Sequence, residues 1–260
     1  MRRILLLLCI LITNNLFSLN FFIVFPRCGN NWMLYQMVNL SHKRCIGYGG
    51  ERYWRNQFCF KGVNIKDAFP VSYGEKSVLV YHFFSCKKID ELFIKKNPKE
   101  DRLILLIRDY KECLPRQYNY DLEAIKDQIM FLQRDKYKPK LPYEYFDNLY
   151  YFDAYQGPKL LVYYDDLMKN PKVSLLKIFS FLGESTQYFD SFYNHLEQHK
   201  QRSLNLYVTH GGGSRSRGKD DHYHSKKLGY RICFEIDELV RINHPILWKK
   251  YLKKYSFNIK

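Results

Sequence analysis

Residues 21–32 read FFIVFPRCGNNW, and this stretch decides the fold that we expect for the chain. Five apolar, β-prone residues are stopped by Pro26, and an apolar-periodic segment, MLYQMV, follows Trp32. The pattern predicts a strand, a tight turn and a helix. Such a turn presents backbone N–H groups at a helix N-terminus, where the first donors have no partner within the helix and the dipole is positive. Gly29 lets the backbone approach a ligand closely and Arg27 adds a forked positive charge, so we expect a loop that binds phosphate or sulfate.

The composition is that of a folded, basic protein. The 260 residues fit one domain of α/β size, and a hydrophobic fraction of 46% is enough for a sizeable core. Lys and Arg total 42 against 26 Asp and Glu, a formal charge of +16. This excess favours anionic partners: a polyanionic cofactor, acidic glycans, nucleic acid or anionic lipid. The seven cysteines form no Cys-x-x-Cys pair, which argues against a zinc ribbon. A disulfide between Cys45 and Cys59 stays open.

Residues 1–18 have the pattern of a targeting segment. Arg2 and Arg3 precede nine apolar residues, Ile4–Ile12, which are too few to span a bilayer because a spanning helix needs about 20. We interpret the segment as a signal peptide or as a hydrophobic leader, with the folded domain at residues 19–260. The first interpretation implies the secretory pathway or membrane association through the N-terminus. The alternative is a cytoplasmic protein.

Extended and helical patterns alternate along the rest of the chain. Apolar runs predict four strands, at Asn20–Phe25, Lys76–His82, Asp101–Arg108 and Lys159–Tyr164. Apolar spacing predicts helices at Asn30–Leu40, Lys87–Lys96, Tyr120–Lys136, Val173–Leu182, Tyr188–Gln201, Arg231–Asn243 and Ile246–Tyr255. The stretch Ser41–Gly74 is expected to be irregular, with short helical pieces. Strands alternating with helices predict a single three-layer α/β domain with a central parallel sheet of about four to five strands.

Ligands of parallel sheets bind beyond the carboxyl ends of the strands. The residues that follow the predicted strands are rich in ligand-type side chains, and they comprise Arg27–Trp32, His82, Arg108–Arg116 and Tyr164–Asp166. We therefore expect the functional site to lie at this edge of the sheet.

Four blocks in this order resemble the motifs of sulfotransferases that use 3′-phosphoadenylyl sulfate. Pro26–Trp32 (PRCGNNW) is similar to the loop that binds the 5′-phosphosulfate in that family. Arg108–Glu112 (RDYKE) resembles the 3′-phosphate block, Arg-Asn-Pro-x-Asp. Tyr163–Leu167 (YYDDL), followed by a predicted helix that ends in FLG, is similar to a Tyr-Glu-Asp-Leu segment. Ser216–Gly218 (SRG) resembles the late Arg-Lys-Gly that grips the 3′-phosphate.

The resemblance implies a fold like that of P-loop NTPases and an enzyme. Its reaction would transfer a sulfuryl group from 3′-phosphoadenylyl sulfate to a hydroxyl or amine of a glycan, a phenol or another small molecule, without a metal. The implied cofactor-binding residues are Arg27, Cys28, Gly29, Asn30, Asn31, Trp32, Arg108, Arg116, Tyr164, Arg217 and Gly218. Arg27 would stabilise the charge that grows on the leaving phosphate oxygen. His82 would accept the acceptor's proton, since histidine titrates near neutral pH.

The chain departs from the family pattern at several of these positions. Cys28 replaces a Ser, Arg116 stands where a phosphate-binding Ser is expected, and Val80 stands where many members have Lys. Ser216 replaces an Arg. These changes leave open a second function, that of a catalytically degenerate member that binds a nucleotide or an anionic glycan. A third, binding to nucleic acid or another acidic surface, rests on the charge alone and is disfavoured.

Overall fold

A five-stranded, fully parallel sheet forms the centre of the protein, in the order β2–β3–β1–β4–β5. The computed structural model describes residues 19–41, 44–48, 78–83, 85–87, 89, 100–130, 144–198 and 228–256. The strands are β1 (Asn20–Val24), β2 (Arg44–Tyr48), β3 (Val78–Phe83), β4 (Arg102–Ile107) and β5 (Lys159–Tyr163). The predicted α/β class, with a parallel sheet flanked by helices, is confirmed.

The two most apolar strands lie side by side in the middle of the sheet. Every residue of β1 from Phe21 to Val24 is fully buried, and in β4 the residues from Leu103 to Ile107 are at most 2% exposed. Continuous apolar runs are required here because helices cover both faces of a parallel sheet. Phe22 of β1 pairs with Ile104 of β4 on one side and with His82 of β3 on the other.

Helices flank the sheet in the part of the chain that the structure describes. They are α1 (Asn30–Ser41), α2 (Tyr110–Gln117), α3 (Leu122–Met130), α4 (Tyr145–Ala154), α5 (Tyr164–Lys169), α6 (Pro171–Leu182), α7 (Phe189–Asn194), α8 (Tyr230–Asn243) and α9 (Pro245–Leu247). A π turn at Trp248–Leu252 and a 3-10 turn at Lys253–Tyr255 follow directly. Within the described residues, no helix is both long enough and apolar enough to cross a membrane.

Local signals explain where α6 begins and ends. The Asn170 side chain accepts a hydrogen bond from the backbone N–H of Val173 at 3.4 Å, and Pro171 occupies the first helical position. Gly183 ends the helix in the left-handed conformation, with φ 72°. The predicted stop at Gly183 is confirmed, and the helix starts two residues before the predicted Val173.

The structure corrects several predictions of secondary structure. The irregular interpretation of Ser41–Gly74 is wrong at Arg44–Tyr48, which forms strand β2 at the edge of the sheet. Within the described residues this strand pairs only with β3, and it contains Gly47, so it lacks the apolar run of a central strand. Helices α2 and α4 were not predicted; Pro115 lies inside α2, where proline normally breaks a helix.

Other helices differ from the predicted ones in extent. The predicted Tyr120–Lys136 helix starts at Leu122 and continues to Met130, the last described residue of that stretch. Helix α7 ends at Asn194 and helical residues follow at 196–198, where one helix to Gln201 was predicted. The predicted single helix Ile246–Tyr255 is instead the succession of α9, the π turn and the 3-10 turn. Most of the predicted helix Lys87–Lys96 lies outside the described residues.

The strand order places a topological switch between β1 and β4. After β1 the chain builds β2 and β3 on one side of it, and β4 then starts the other side, continued by β5. The connections after β1 and β4 lead to opposite sides of the sheet, which opens a crevice between the carboxyl ends of these two strands. Ligands of such sheets bind in that crevice. Arg27 follows β1 and Arg108 follows β4, so the two arginines lie at the mouth of that crevice.

Candidate functional site

The turn between β1 and α1 is the centre of the candidate site. Arg27 adopts φ 71° and Gly29 φ 88°, two left-handed conformations within three residues. For arginine this conformation is strained by roughly 1–2 kcal/mol, a cost typical of functional turns. The backbone N–H of Cys28 donates to the Phe25 carbonyl at 3.3 Å, and the first α1 bond runs from Met33 N–H to the Gly29 carbonyl at 3.2 Å. The turn thus delivers the chain into a helix N-terminus, as an anion-binding loop requires.

Tyr164 closes against this turn. It is the first residue of α5, immediately after β5. A Cβ atom at Gly29 would lie 2.1 Å from Cε2 of Tyr164, well inside any real contact. Two constraints therefore require glycine at position 29: the positive φ angle and the space that the Tyr164 ring occupies.

Arg108 joins the turn to Tyr164. Its guanidinium carbon lies 4.4 Å above the centre of the Tyr164 ring, and its Nη1 donates to the Arg27 carbonyl at 3.4 Å. Nε and Nη2 both donate to one carboxylate oxygen of Glu112, at 2.8 and 2.5 Å. Burial lowers the pKa of Arg108, but the Glu112 carboxylate together with Tyr164 and Cys113 raises it by more, so the net shift is upward and the side chain stays charged.

The Cys28 thiol points away from the loop. Cys28 and Cys113 of α2 are both fully buried, and their thiols are hydrogen-bonding neighbours. Burial raises the pKa of Cys113 well above its usual value, which keeps this thiol neutral. Only the backbone of Cys28 is therefore available to an anion in the loop, so the exchange of Ser for Cys affects the core side of the turn.

The sequence-predicted residues are only partly brought together. Arg27, Gly29, Arg108 and Tyr164 meet at the crevice. Trp32 is partly buried in the first turn of α1 and stacks on Tyr35, with ring centres 5.8 Å apart and planes 14° apart.

The other predicted residues lie apart from this group or outside the residues that the structure describes. Arg116 lies near the end of α2, and its side chain makes no hydrogen bond or ion pair with the described part of the chain. Asn30 and Asn31 open α1, and His82 lies in β3, but the structure describes only their backbone. Arg217 and Gly218 lie outside the described residues, and so does Cys59, whose pairing with Cys45 was left open.

Sequence reasoning missed the first turn of α4, which ties three strand ends together. The Tyr145 hydroxyl donates to the Arg108 carbonyl at 2.8 Å, and its ring meets Phe25 edge to face at 5.5 Å. The Asn148 side chain accepts from the backbone N–H of Cys86 at 2.9 Å, three residues after β3 ends. This turn therefore fixes the ends of β1, β3 and β4 relative to one another.

Charges also gather at this first turn. Lys87 bonds Glu144 at 2.6 Å and lies 3.3 Å from Asp147. Burial, reinforced by the neighbouring Asp147, raises the pKa of Glu144. The signal in the sequence was the helical spacing of Tyr145, Leu149 and Phe152, which are all buried.

A second set of side-chain contacts that the sequence did not predict holds α2 against α8 and the C-terminal turns. The Tyr110 hydroxyl bonds the buried carboxylate of Asp237 in α8, and Trp248 donates to the same carboxylate oxygen at 3.4 Å. Lys111, with a side chain only 9% exposed, bridges Asp109 at 3.1 Å and the backbone carbonyl of Tyr255. The signal in the sequence was Asp237, a charge beside Ile236 and Val240 on an otherwise apolar helix face.

Comparison with solved structures agrees with the fold. The structure is similar to the crystal structure of mouse sulfotransferase SULT7A1 complexed with PAP, with a TM-score of 0.58. The chain has a sulfotransferase fold. The match covers 92% of this chain and 89% of the mouse protein at 12% sequence identity. No protein-family model and no curated protein shows a significant match to the sequence.

Proposed function

We propose that this protein transfers a sulfuryl group from 3′-phosphoadenylyl sulfate to a hydroxyl or amine acceptor. One observation carries the proposal: the Arg108 guanidinium lies between the Tyr164 ring and the Arg27 carbonyl, at 4.4 and 3.4 Å. Three sequence blocks that resemble the family's nucleotide motifs therefore converge at the switch point of the sheet. The sulfotransferase fold of the chain supports the same reaction class.

In this proposal the chain's own residues divide between binding and chemistry. The loop N–H groups and Arg27 face the 5′-phosphosulfate and stabilise charge on the leaving oxygen during an in-line transfer. Arg108, Arg116 and Arg217, with Gly218, serve the 3′-phosphate through charge-assisted hydrogen bonds. Trp32 and Tyr164 offer aromatic surfaces to the adenine.

His82 is proposed as the general base for the acceptor. Its backbone pairs with Phe22 of β1, five residues before Arg27, so the two belong to adjacent strands that run toward the same edge. An imidazole there could take the acceptor proton as the sulfuryl group arrives. The acceptor itself is proposed only as a hydroxyl or amine of a glycan, a phenol or another small molecule.

The proposal is tested by thermal unfolding of the full chain with millimolar 3′,5′-adenosine bisphosphate. A ligand that binds only the folded state raises the melting temperature, so we expect a concentration-dependent rise. Adenosine 5′-phosphate, which lacks the 3′-phosphate, is the matched control and should raise it less. No rise with the bisphosphate would contradict the proposal. Transfer of labelled sulfate from the donor to a panel of sugars, phenols and amines then identifies the acceptor class.

A second candidate is a nucleotide- or glycan-binding protein without catalysis. It is favoured by Val80, which is fully buried in β3 where many family members carry a lysine, so this strand supplies no cation there. A rise in melting temperature with no transfer to any acceptor would favour this candidate. Salt-sensitive binding of oligonucleotides with no rise would instead favour a nucleic-acid binder.

The compartment is proposed from residues 1–18 alone. Their pattern favours the secretory pathway or a membrane-associated protein, with the catalytic domain at residues 19–260. N-terminal sequencing of the protein purified from a eukaryotic host, compared with its cell fractionation, tests both statements.

A further inference from the structure

Each nitrogen of the Arg108 guanidinium already donates one hydrogen bond. Nε and Nη2 donate to the same oxygen of Glu112, and Nη1 donates to the Arg27 carbonyl. A guanidinium grips a phosphate best through two parallel N–H groups on one edge. The edge formed by Nε and Nη2 is already occupied by one carboxylate oxygen, which accepts from both of the N–H groups that a phosphate would use.

Glu112 is not needed to hold Arg108 in place. The Tyr164 ring already covers one face of the guanidinium at 4.4 Å, and the Arg27 carbonyl fixes Nη1. Only 15% of the Arg108 side chain is exposed, whereas 49% of the Glu112 side chain is exposed. Arg108 is thus oriented by buried contacts, and Glu112 approaches it from the solvent side.

The Glu112 carboxylate has no second hydrogen-bonding partner among the described residues. It lies in the first turn of α2, four residues after Arg108, and its side chain bonds Arg108 alone in the part of the chain that the structure describes. Such a carboxylate can swing into solvent at little cost, because exposed ion pairs are weak. An incoming anion could therefore displace it.

We propose that Glu112 is an affinity-setting residue, an internal competitor that occupies the phosphate-binding edge of Arg108 until the nucleotide displaces it. This inference rests on the proposed function, in which Arg108 receives the 3′-phosphate. The carboxylate weakens the binding of both donor and product, because each must break the same ion pair. Product release benefits directly, since Glu112 returns to Arg108 as the bisphosphate leaves.

The test compares Glu112→Gln with the matched control Glu238→Gln in the full chain. Glu238 also binds an arginine, Arg241, through Nε and Nη2, so both variants remove one carboxylate from an Arg fork and change the net charge equally. The readout is the dissociation constant of 3′,5′-adenosine bisphosphate by calorimetry. We expect Glu112→Gln to bind about two- to five-fold more tightly than the control, the range set by the strength of a partly exposed ion pair.

A purely structural role for Glu112 would give the opposite result. If Glu112 orients Arg108, the Glu112→Gln variant binds the bisphosphate more weakly than the control. That result would overturn the proposal that Glu112 competes with the nucleotide. Equal affinities in the two variants overturn it as well. Absence of binding in the wild-type protein overturns the proposed function and this inference together, whereas wild-type binding with equal variant affinities overturns only this inference. Melting temperatures without ligand check that both variants fold.

Discussion

The Tyr164 ring lies so close to Gly29 that a single added methyl group would meet it at 2.1 Å. The residues are 135 positions apart in the chain, and the sheet brings them together because β1 and β5 end at the same edge. The Tyr164 ring thereby links Gly29, in the turn that we propose binds the 5′-phosphosulfate, to Arg108, whose guanidinium carbon lies 4.4 Å from the centre of the same ring. Any change that displaces the ring should therefore affect nucleotide binding.

Gly29→Ala should abolish the rise in melting temperature produced by 3′,5′-adenosine bisphosphate. The new Cβ must push Tyr164 away, and alanine also resists φ 88°. We expect the free energy of unfolding to fall by about 2–4 kcal/mol from the combined clash and backbone strain. Denaturant unfolding and the ligand-induced shift measure the two effects separately.

Gly183→Ala is the control for the backbone effect alone. Gly183 has a similar φ of 72°, but a Cβ there would meet nothing within 4 Å. This variant should lose only about 1–2 kcal/mol and keep the full ligand-induced shift. If both variants keep the shift, the Tyr164–Gly29 contact has no part in nucleotide binding.

Arg108→Lys should weaken binding of the bisphosphate roughly ten-fold or more, since a hydrogen bond to a charged group contributes about 1.5–3 kcal/mol. Lysine keeps the charge but cannot make the fork or stack flat on Tyr164. Arg241→Lys removes the corresponding fork on Glu238 and should leave affinity unchanged. Calorimetric titration of the two variants measures the difference, and equal affinities would remove Arg108 from the binding site.

Much of the fold could be predicted from the sequence because the central strands are unbroken runs of apolar residues. Phe21–Val24 and Leu103–Ile107 are buried on both faces, so no polar residue interrupts them. The edge strand Arg44–Tyr48 was missed for the opposite reason. Among the described strands it pairs only with β3, and its Gly47 and Arg44 give it neither an apolar run nor an alternating pattern.

The predicted site depended on the rule that strand ends converge, and the rule held for residues far apart in sequence. Arg27 and Arg108 were assigned separately, and the structure joins them by a hydrogen bond across 81 positions. The surrounding side-chain contacts were not predicted. Glu112, Tyr145 and Asp237 make contacts that depend on how α2, α4 and α8 pack, and a local sequence pattern does not encode those contacts.

Asp153→Asn should destabilise the protein near neutral pH and not in acid. Asp153 accepts hydrogen bonds from Lys250 at 2.8 Å and from the Tyr251 hydroxyl at 2.5 Å, joining α4 to the C-terminal π turn. These bonds lower the pKa of Asp153 below its ordinary value of 3.8. A depressed carboxyl pKa contributes stability that is present above the ordinary value and is lost as the pH falls through the lowered one.

The expected loss for Asp153→Asn is modest, about 1 kcal/mol or less, because the pair is partly exposed and screened by water. Denaturant unfolding at pH 7 and below the ordinary carboxyl pKa should show the gap between wild type and variant closing in acid. Asp190→Asn, whose partner Lys172 lies at 2.7 Å on the surface, should show a smaller gap at either pH. A gap for Asp153→Asn that does not change with pH would contradict the assignment.

His82→Ala should lower sulfuryl turnover by roughly 10²–10⁴-fold, the usual contribution of a positioned general base. The nucleotide contacts proposed above come from the turn after β1 and from Arg108 and Tyr164, so the bisphosphate-induced rise in melting temperature should persist. His195→Ala removes an exposed histidine whose Nδ1 lies 2.9 Å from the Ser191 carbonyl within α7, and it should turn over like the wild type. Turnover near the wild-type rate in His82→Ala would exclude His82 as the base, whereas loss of the melting shift would mean that the end of β3 shapes the nucleotide site instead.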